Sequence, residues 1–99
     1  MLASGFDVSV NTGVEGTVCS WTSDGARHVI GYNASCDIPA IVRLYVNGTK
    51  KYESRTSSEY PTAYLADKDF IVTSGQIVEL KVIQITGFAQ NISGQILGG

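Results

Sequence analysis

The fold is decided by the last thirty residues, Phe70-Ile-Val-Thr-Ser-Gly-Gln-Ile-Val-Glu-Leu-Lys-Val-Ile-Gln-Ile-Thr-Gly-Phe-Ala-Gln-Asn-Ile-Ser-Gly-Gln-Ile-Leu-Gly-Gly99. Ser74-Gly75 precedes a long run rich in β-branched residues, and Thr86-Gly87 ends that run. A second run with alternating apolar residues follows. Runs of this kind, bounded by glycine-containing pairs, are typical of β-strands. We predict two strands here, joined by a tight turn.

The composition extends this prediction to the whole chain. The 99 residues include 11 Gly and 18 Ser or Thr, together with many Val and Ile, a mixture that favours short strands and frequent turns. The leucines never recur at the three- and four-residue spacing of a helical face. A chain of this length suits one domain, residues 1–99. We therefore expect an all-β protein, an antiparallel β-sandwich with at least seven strands and no helix longer than two turns.

Two further pairs predict hairpins. Asp24-Gly25 and Asn47-Gly48 each lie between strand-like runs, and both are favoured in two-residue turns whose central residues need positive φ. The polar segment from Ser54 to Tyr60 is predicted to be an exposed loop. The apolar positions of the runs give the expected core, which comprises Phe6, Val8, Val10, Val18, Ile30, Val42, Leu44, Val46, Val78, Leu80, Val82 and Ile92.

The charges argue against several classes of partner. The net charge is −2, and the seven Lys and Arg are scattered, so we expect no nucleic-acid binding. No apolar run approaches the 18 or more residues that a membrane helix needs, so we expect no membrane partner. The N-terminus lacks the basic and apolar regions of a signal peptide. We expect a protein made in a cytoplasm, or one whose leader was removed.

The cysteines leave three alternatives open. Cys19 and Cys36 are 17 positions apart and could be buried thiols, a disulfide, or part of a metal or redox site. Two cysteines and the single histidine, His28, supply three of the four ligands of a closed zinc site. We expect no metal and no cofactor.

No pattern in the sequence predicts catalysis. Asp67 and Asp69 resemble a carboxylate pair, but a solvated turn explains them better. Ser23, Asp24 and His28 are the residue types of a catalytic triad, yet no nucleophile elbow accompanies them. We expect a protein that is not an enzyme.

Two segments resemble a known family. Ile41-Val-Arg-Leu-Tyr-Val-Asn-Gly-Thr-Lys50 and Val72-Thr-Ser-Gly-Gln-Ile-Val-Glu-Leu-Lys-Val-Ile-Gln-Ile-Thr-Gly87 are similar to consecutive strands of small jelly-roll domains of the complement C1q/tumour-necrosis-factor type. Versions of these domains occur in phage tail fibres, decoration proteins and other virion surface proteins. The resemblance implies a jelly-roll sandwich that often forms homotrimers and acts through its surface.

Two functions are compatible with these features. The first is a structural virion protein, a small phage capsid decoration or cement subunit, or a fibre-associated one, that contacts a capsid or fibre lattice and other copies of itself. The second is a carbohydrate- or receptor-binding module, in which a glycan or a receptor is the ligand. Tyrosines on loops and an apolar chain end are suitable anchors for such contacts. The predicted interface residues are Tyr52, Tyr60, Tyr64, Ile96 and Leu97.

Overall fold

The computed structural model describes residues 2–36 and 38–99, which form nine strands in two antiparallel sheets. The predicted all-β sandwich is confirmed. Within these residues, no helix is long and apolar enough to cross a membrane. The strands are β1 (Ala3–Val10), β2 (Gly16–Thr22), β3 (Arg27–Ser35), β4 (Ala40–Val46), β5 (Thr49–Thr56), β6 (Thr62–Leu65), β7 (Phe70–Val72), β8 (Ile77–Gln84) and β9 (Gln90–Gly98).

The two sheets have different strand orders. The five-stranded sheet runs β1-β9-β3-β6, and β7 pairs with the other end of β3. The four-stranded sheet runs β2-β8-β4-β5. Each sheet buries the apolar side chains of one face against the other sheet, as an aligned sandwich requires.

The decisive C-terminal segment contains the predicted strands but not the predicted hairpin. β8 pairs with β2 and β4, whereas β9 pairs with β1 and β3 in the opposite sheet. Residues 85–89 therefore connect the two layers. The alternation that predicts a strand is contained in each run by itself. Which strands a run pairs with depends on the sheet in which its apolar face is buried, and the whole chain determines that sheet.

One of the two predicted hairpins is confirmed. Asn47 and Gly48 both have positive φ, 49° and 79°, and they join β4 to β5. At Asp24-Gly25 the prediction is wrong, because β2 and β3 lie in different sheets. The carboxylate of Asp24 instead accepts a hydrogen bond of 2.9 Å from Nε of Arg27.

The predicted core is correct at ten of its twelve positions, of which Val8 and Val46 are partly buried. Phe6 is 84% exposed and Ile30 is 37% exposed, so both predictions are wrong. The pairing register is irregular at both residues. Phe6 lies in the irregularity between Gly5 and Val8 of β1, and Ile30 lies in the one between Val29 and Gly31 of β3. Each irregularity shifts the inward–outward alternation that the predictions assumed.

The predicted apolar chain end is also part of the core. Ile96 is completely buried and lies in β9, a central strand with β1 on one side and β3 on the other. Leu97 is partly buried in the same strand. Ile96 therefore belongs to the core between the sheets and cannot contact a neighbour in the folded state.

Small residues bring the two sheets close together at one level. Gly5, Gly94, Ala34 and Ala63 form an inward-facing row across β1, β9, β3 and β6. A Cβ at Gly5 would lie 2.0 Å from the carbonyl oxygen of Val18 in the opposite sheet. The β1 and β2 backbones therefore touch here, and this level of the sandwich has no room for larger side chains.

Candidate binding surfaces

One end of the sandwich is formed by residues 11–15, 57–61 and 85–89 together with Pro39, a surface that we call the loop end. Ala40 pairs with both Gln84 and Thr56, so the start of β4 and the ends of β5 and β8 lie at the same level. The N–H of Gly13 donates to the carbonyl of Gln84 at 2.7 Å. The N–H of Gly87 donates to Oγ1 of Thr12 at 3.2 Å, which joins the first and last of these loops.

The loop end exposes large apolar side chains. Among the described residues, Val14 is 59% exposed, Tyr60 70%, Ile85 81% and Phe88 76%. One of them, Ile85, lines a groove of about 280 Å³ together with Pro39, Ile41 and Ile83. Isolated exposed apolar residues are common, but several of them at one end of a sandwich, beside an apolar groove, are typical of an interaction surface.

A buried glutamine holds this surface in place. Gln84 is 1% exposed, and its Nε2 donates to the carbonyl oxygens of Val10 and Phe88, each at 2.9 Å. Its Oε1 accepts hydrogen bonds from the N–H and the hydroxyl of Thr86, at 2.8 and 2.7 Å. One side chain thus fixes the end of β1 and both sides of the 85–89 loop, so that Ile85 and Phe88 are presented on an ordered backbone.

The predicted interface residues are not gathered in one place. Tyr60 lies at the loop end, where the N–H of Tyr60 donates to Oγ of Ser57 at 3.0 Å. The loop that carries it is shorter than predicted, because residues 54–56 belong to β5. Tyr64 is 67% exposed on β6 in the five-stranded sheet. Tyr52 is partly buried, with its ring 6.0 Å from that of Phe70.

The sequence-based predictions missed three of the four exposed apolar residues of the loop end. Val14, Ile85 and Phe88 all lie in connections, where binary patterning leads one to expect polar residues. Large apolar residues at 85 and 88 on either side of Thr86-Gly87 were a visible signal. The prediction of a single hairpin around Thr86-Gly87 instead assigns them to the alternation of the two flanking strands.

The outer face of the five-stranded sheet is a second, chemically different surface, which we call the polar face. Cross-strand pairing aligns Ser4, Gln95, Asn33 and Tyr64 in one row across four strands. The adjacent outward row contains Ser93, Ser35 and Thr62, with Phe6 at the β1 edge. The polar face therefore comprises hydroxyl, amide and aromatic side chains: Ser4, Phe6, Asn33, Ser35, Thr62, Tyr64, Ser93 and Gln95.

A bulge places Phe6 on the polar face. Phe6 and Asp7 together occupy the interval between the Gly5–Gly94 and Val8–Ile92 pairs, and Asp7 has a φ of 51°. The N–H of Asp7 donates to Oγ of Ser93 at 3.0 Å. Bulges of this kind redirect side chains, and positive φ at a residue other than glycine is strained. The strand thus keeps Phe6 almost fully exposed instead of burying it.

The outer face of the four-stranded sheet carries charges that bind one another. Arg43 lies 2.9 Å from Glu53 and 3.0 Å from Glu15, and the Tyr45 hydroxyl donates to Glu15 at 2.9 Å. The hydrogen bonds that Arg43 donates to Glu53 and then to Glu15 raise the pKa of Arg43, and Arg43 lowers the pKa of Glu53. Arg43, Glu15 and Glu53 are therefore engaged with one another within the chain.

The residue types of a triad are directed to separate partners. His28 Nδ1 lies 2.7 Å from a carboxylate oxygen of Asp69, and both side chains are exposed. Asp24 pairs with Arg27, which lowers the pKa of that carboxyl group, while the Ser23 hydroxyl donates to the carbonyl of Gly25. Within residues 2–36 and 38–99, no three His, Cys, Asp or Glu side chains converge as metal ligands would.

The two cysteines are buried thiols. Cys19, on β2, is 8% exposed, and Cys36, just after β3, is 6% exposed. Burial raises the pKa of the Cys19 thiol to about 11. Nucleophilic reactivity requires the thiolate, so this burial suppresses the reactivity of Cys19 near neutral pH.

The loop end and the polar face are therefore the two surfaces on which a function can be argued. Their chemistry differs, since the first is apolar and the second is rich in hydroxyl and amide groups. Comparison of the chain with protein-family models finds no match, and a search of curated proteins finds none either.

Proposed function

We propose that this chain is a structural subunit of a virion, a small decoration or cement protein that docks on a capsid or fibre lattice through its loop end. The observation that carries the proposal is the set of exposed apolar side chains at the loop end, Val14, Tyr60, Ile85 and Phe88, of which Ile85 lines an apolar groove. The viral setting comes from the family resemblance of two strand segments. The subunit would be made in the host cytoplasm and act in the assembled particle.

The strand order supports a jelly roll, the fold that this resemblance implies. Consecutive strands change sheet at every link except β4–β5 and β6–β7, and β1 lies beside β9. Such an order wraps the chain around the core as paired Greek keys do. The same order brings the connections β1–β2, β5–β6 and β8–β9 together at the loop end.

The size of the apolar cluster fits docking on a repeated lattice. Complete burial of one Val, Ile or Phe side chain contributes about 1.5–3 kcal/mol. Val14, Ile85 and Phe88 together contribute about 4.5–9 kcal/mol, comparable with the 4–15 kcal/mol that association costs in lost freedom. A single contact of this size is weak, but many copies on one particle benefit from a high effective concentration.

The first test is whether the chain is present in virus particles. Mass spectrometry of purified virus particles from the source culture should detect the chain at a copy number comparable with that of a lattice subunit. Absence of the chain from all such particles would refute the viral setting. Light scattering on the isolated chain then tests the homotrimer that the resemblance implies.

The docking surface is tested with a matched pair of phenylalanines. Phe88→Ala removes an exposed ring from the loop end, whereas Phe6→Ala removes an equally exposed ring from the polar face. We expect Phe88→Ala to weaken binding to the particle while Phe6→Ala leaves it unchanged. Equal binding by both variants would place the contact elsewhere.

A further inference from the structure

We infer that the polar face binds an uncharged oligosaccharide, a function separate from docking through the loop end. The inference rests on four features of this surface. They are its uncharged hydrogen-bonding groups, its unused donors and acceptors, the aromatic rings at its two edges, and a groove beside Phe6.

The hydrogen-bonding groups of the polar face suit sugar hydroxyls. Hydroxyl and amide side chains both donate and accept, as do the hydroxyls of a sugar. Apart from Asp7 at one corner, the two outward rows hold no ionisable group except the Tyr64 phenol. The opposite sheet, by contrast, places Arg43, Glu53 and Lys81 on its outer face. An uncharged ligand therefore matches this face better than an ionic one.

Much of this hydrogen-bonding capacity is free. Nδ2 of Asn33 donates to Oε1 of Gln95 at 3.0 Å, which orients both amides. Within the described chain, no intramolecular hydrogen bond engages Nε2 of Gln95 or the hydroxyls of Ser4 and Ser35. Each of these groups can bond a ligand without giving up a protein partner. The Asn33–Gln95 bond fixes the amide positions before a ligand arrives, which reduces the entropy lost on binding.

Aromatic rings lie at both edges of the same surface. Phe6 is 84% exposed at the β1 edge, and Tyr64 is 67% exposed at the β6 edge. Three strand spacings separate these edges, a distance of about 14 Å. An aromatic ring can cover the apolar face of a sugar ring, so this span suits an oligosaccharide better than a single sugar.

A groove crosses β1, β9 and β3 beside Phe6. It has a volume of about 320 Å³ and is lined by Phe6, Asn33, Ser35, Ser93 and Gln95, together with Ser4 and the backbone at Gly5 and Gly94. Binding sites of this kind combine an aromatic wall with a few fixed polar groups. The strained bulge at Asp7 forms one wall of the groove, because it turns Phe6 outward.

The inference is tested by nitrogen–proton correlation NMR on the full chain. The probes are maltohexaose, cellohexaose, xylohexaose, mannohexaose and chitohexaose, each added to about 10 mM so that millimolar affinity is detected. We expect at least one probe to shift the amide signals of Asn33 and of residues 93–95 and to leave those of residues 85–89 unchanged. Polygalacturonate, a charged polymer, should produce no such shifts.

Variants test whether the shifted amide signals report binding at the polar face. Phe6→Ala and Tyr64→Ala should each weaken the binding of the active probe about tenfold, whereas Phe88→Ala should bind it like the wild type. Gln95→Glu, which keeps the shape but adds a charge, should also weaken it. The inference is overturned if no neutral probe shifts these signals, if polygalacturonate shifts them equally, or if Phe6→Ala and Phe88→Ala bind alike. Because docking and sugar binding use different phenylalanines, either function can fail without the other.

Discussion

Replacement of Gln84 by Met should destabilise the protein and release the loop end. Met has nearly the same length as Gln but cannot make the four hydrogen bonds of its amide, two donated and two accepted. The carbonyl of Val10 would then be left buried without its donor. The groups at Thr86 and Phe88 lie nearer the surface, so water can replace part of what they lose.

The expected loss in the free energy of unfolding follows from how deeply each of these groups is buried. A buried polar group that loses its partner costs about 1–3 kcal/mol, and a partly solvated hydrogen bond contributes about 0.5–1.5 kcal/mol. We therefore expect Gln84→Met to lower the free energy of unfolding by about 2–4 kcal/mol. For a domain of this size, each kcal/mol lowers Tm by about 4–8 °C.

Urea unfolding of Gln84→Met, compared with Gln76→Met, measures this effect. Gln76 lies near the other end of the sandwich, where its side chain accepts hydrogen bonds from the N–H and hydroxyl of Thr73. The control should lose about 1 kcal/mol. Hydrogen exchange should also become faster at residues 85–89 in the Gln84 variant alone. Equal stability of the two variants, with unchanged exchange in this loop, would refute the reasoning.

Three further predictions concern the core and its ionisation. Ile96→Ala should lower the free energy of unfolding, measured with urea, by about 2–5 kcal/mol, and Leu97→Ala should lower it less, because only Ile96 is completely buried. Equal losses in the two variants would contradict the assignment of Ile96 to the core. Gly31→Ala should lower the free energy of unfolding by more than about 2 kcal/mol, because a Cβ at Gly31 would lie 1.6 Å from the carbonyl oxygen of Leu65 at the end of β6. Gly25→Ala should lower it by much less, because a Cβ there meets no atom within 4 Å. Burial raises the pKa of Cys19 from its ordinary value of 9.0 to about 11 in the folded state, so the unfolded state ionises first. The stability of the wild type relative to Cys19→Ala should therefore stay constant below pH 9 and fall between pH 9 and 11. Chemical unfolding of both proteins across that range checks it, and a difference that does not vary with pH would contradict it.

Local patterns predicted the strands well but predicted their partners poorly. Asn47-Gly48 identified its hairpin because both residues of the turn adopt positive φ, a property of the pair itself. Asp24-Gly25 and Thr86-Gly87 look similar in sequence, yet each connects strands of opposite sheets. The difference depends on long-range packing, which no short segment encodes.

The candidate surfaces were predicted only in part. Tyr60 and Tyr64, two of the predicted interface residues, are both exposed. Alternation with Val8 predicts that Phe6 is buried, but a bulge that no residue of β1 indicates turns it outward. The polar face depends on register across four strands, so its rows become visible only when the sheet is assembled.

The most direct test of the proposed function is cosedimentation of the subunit with virus particles from which it has been removed, using wild type, Phe88→Ala and Phe6→Ala at matched concentrations. Loss of about 1.5–3 kcal/mol of apolar burial corresponds to a weakening of about tenfold to a hundredfold. We predict that Phe88→Ala binds the particles at least about tenfold more weakly than the wild type, while Phe6→Ala binds within about twofold of it. Unchanged binding of Phe88→Ala, or a loss confined to Phe6→Ala, would contradict docking through the loop end.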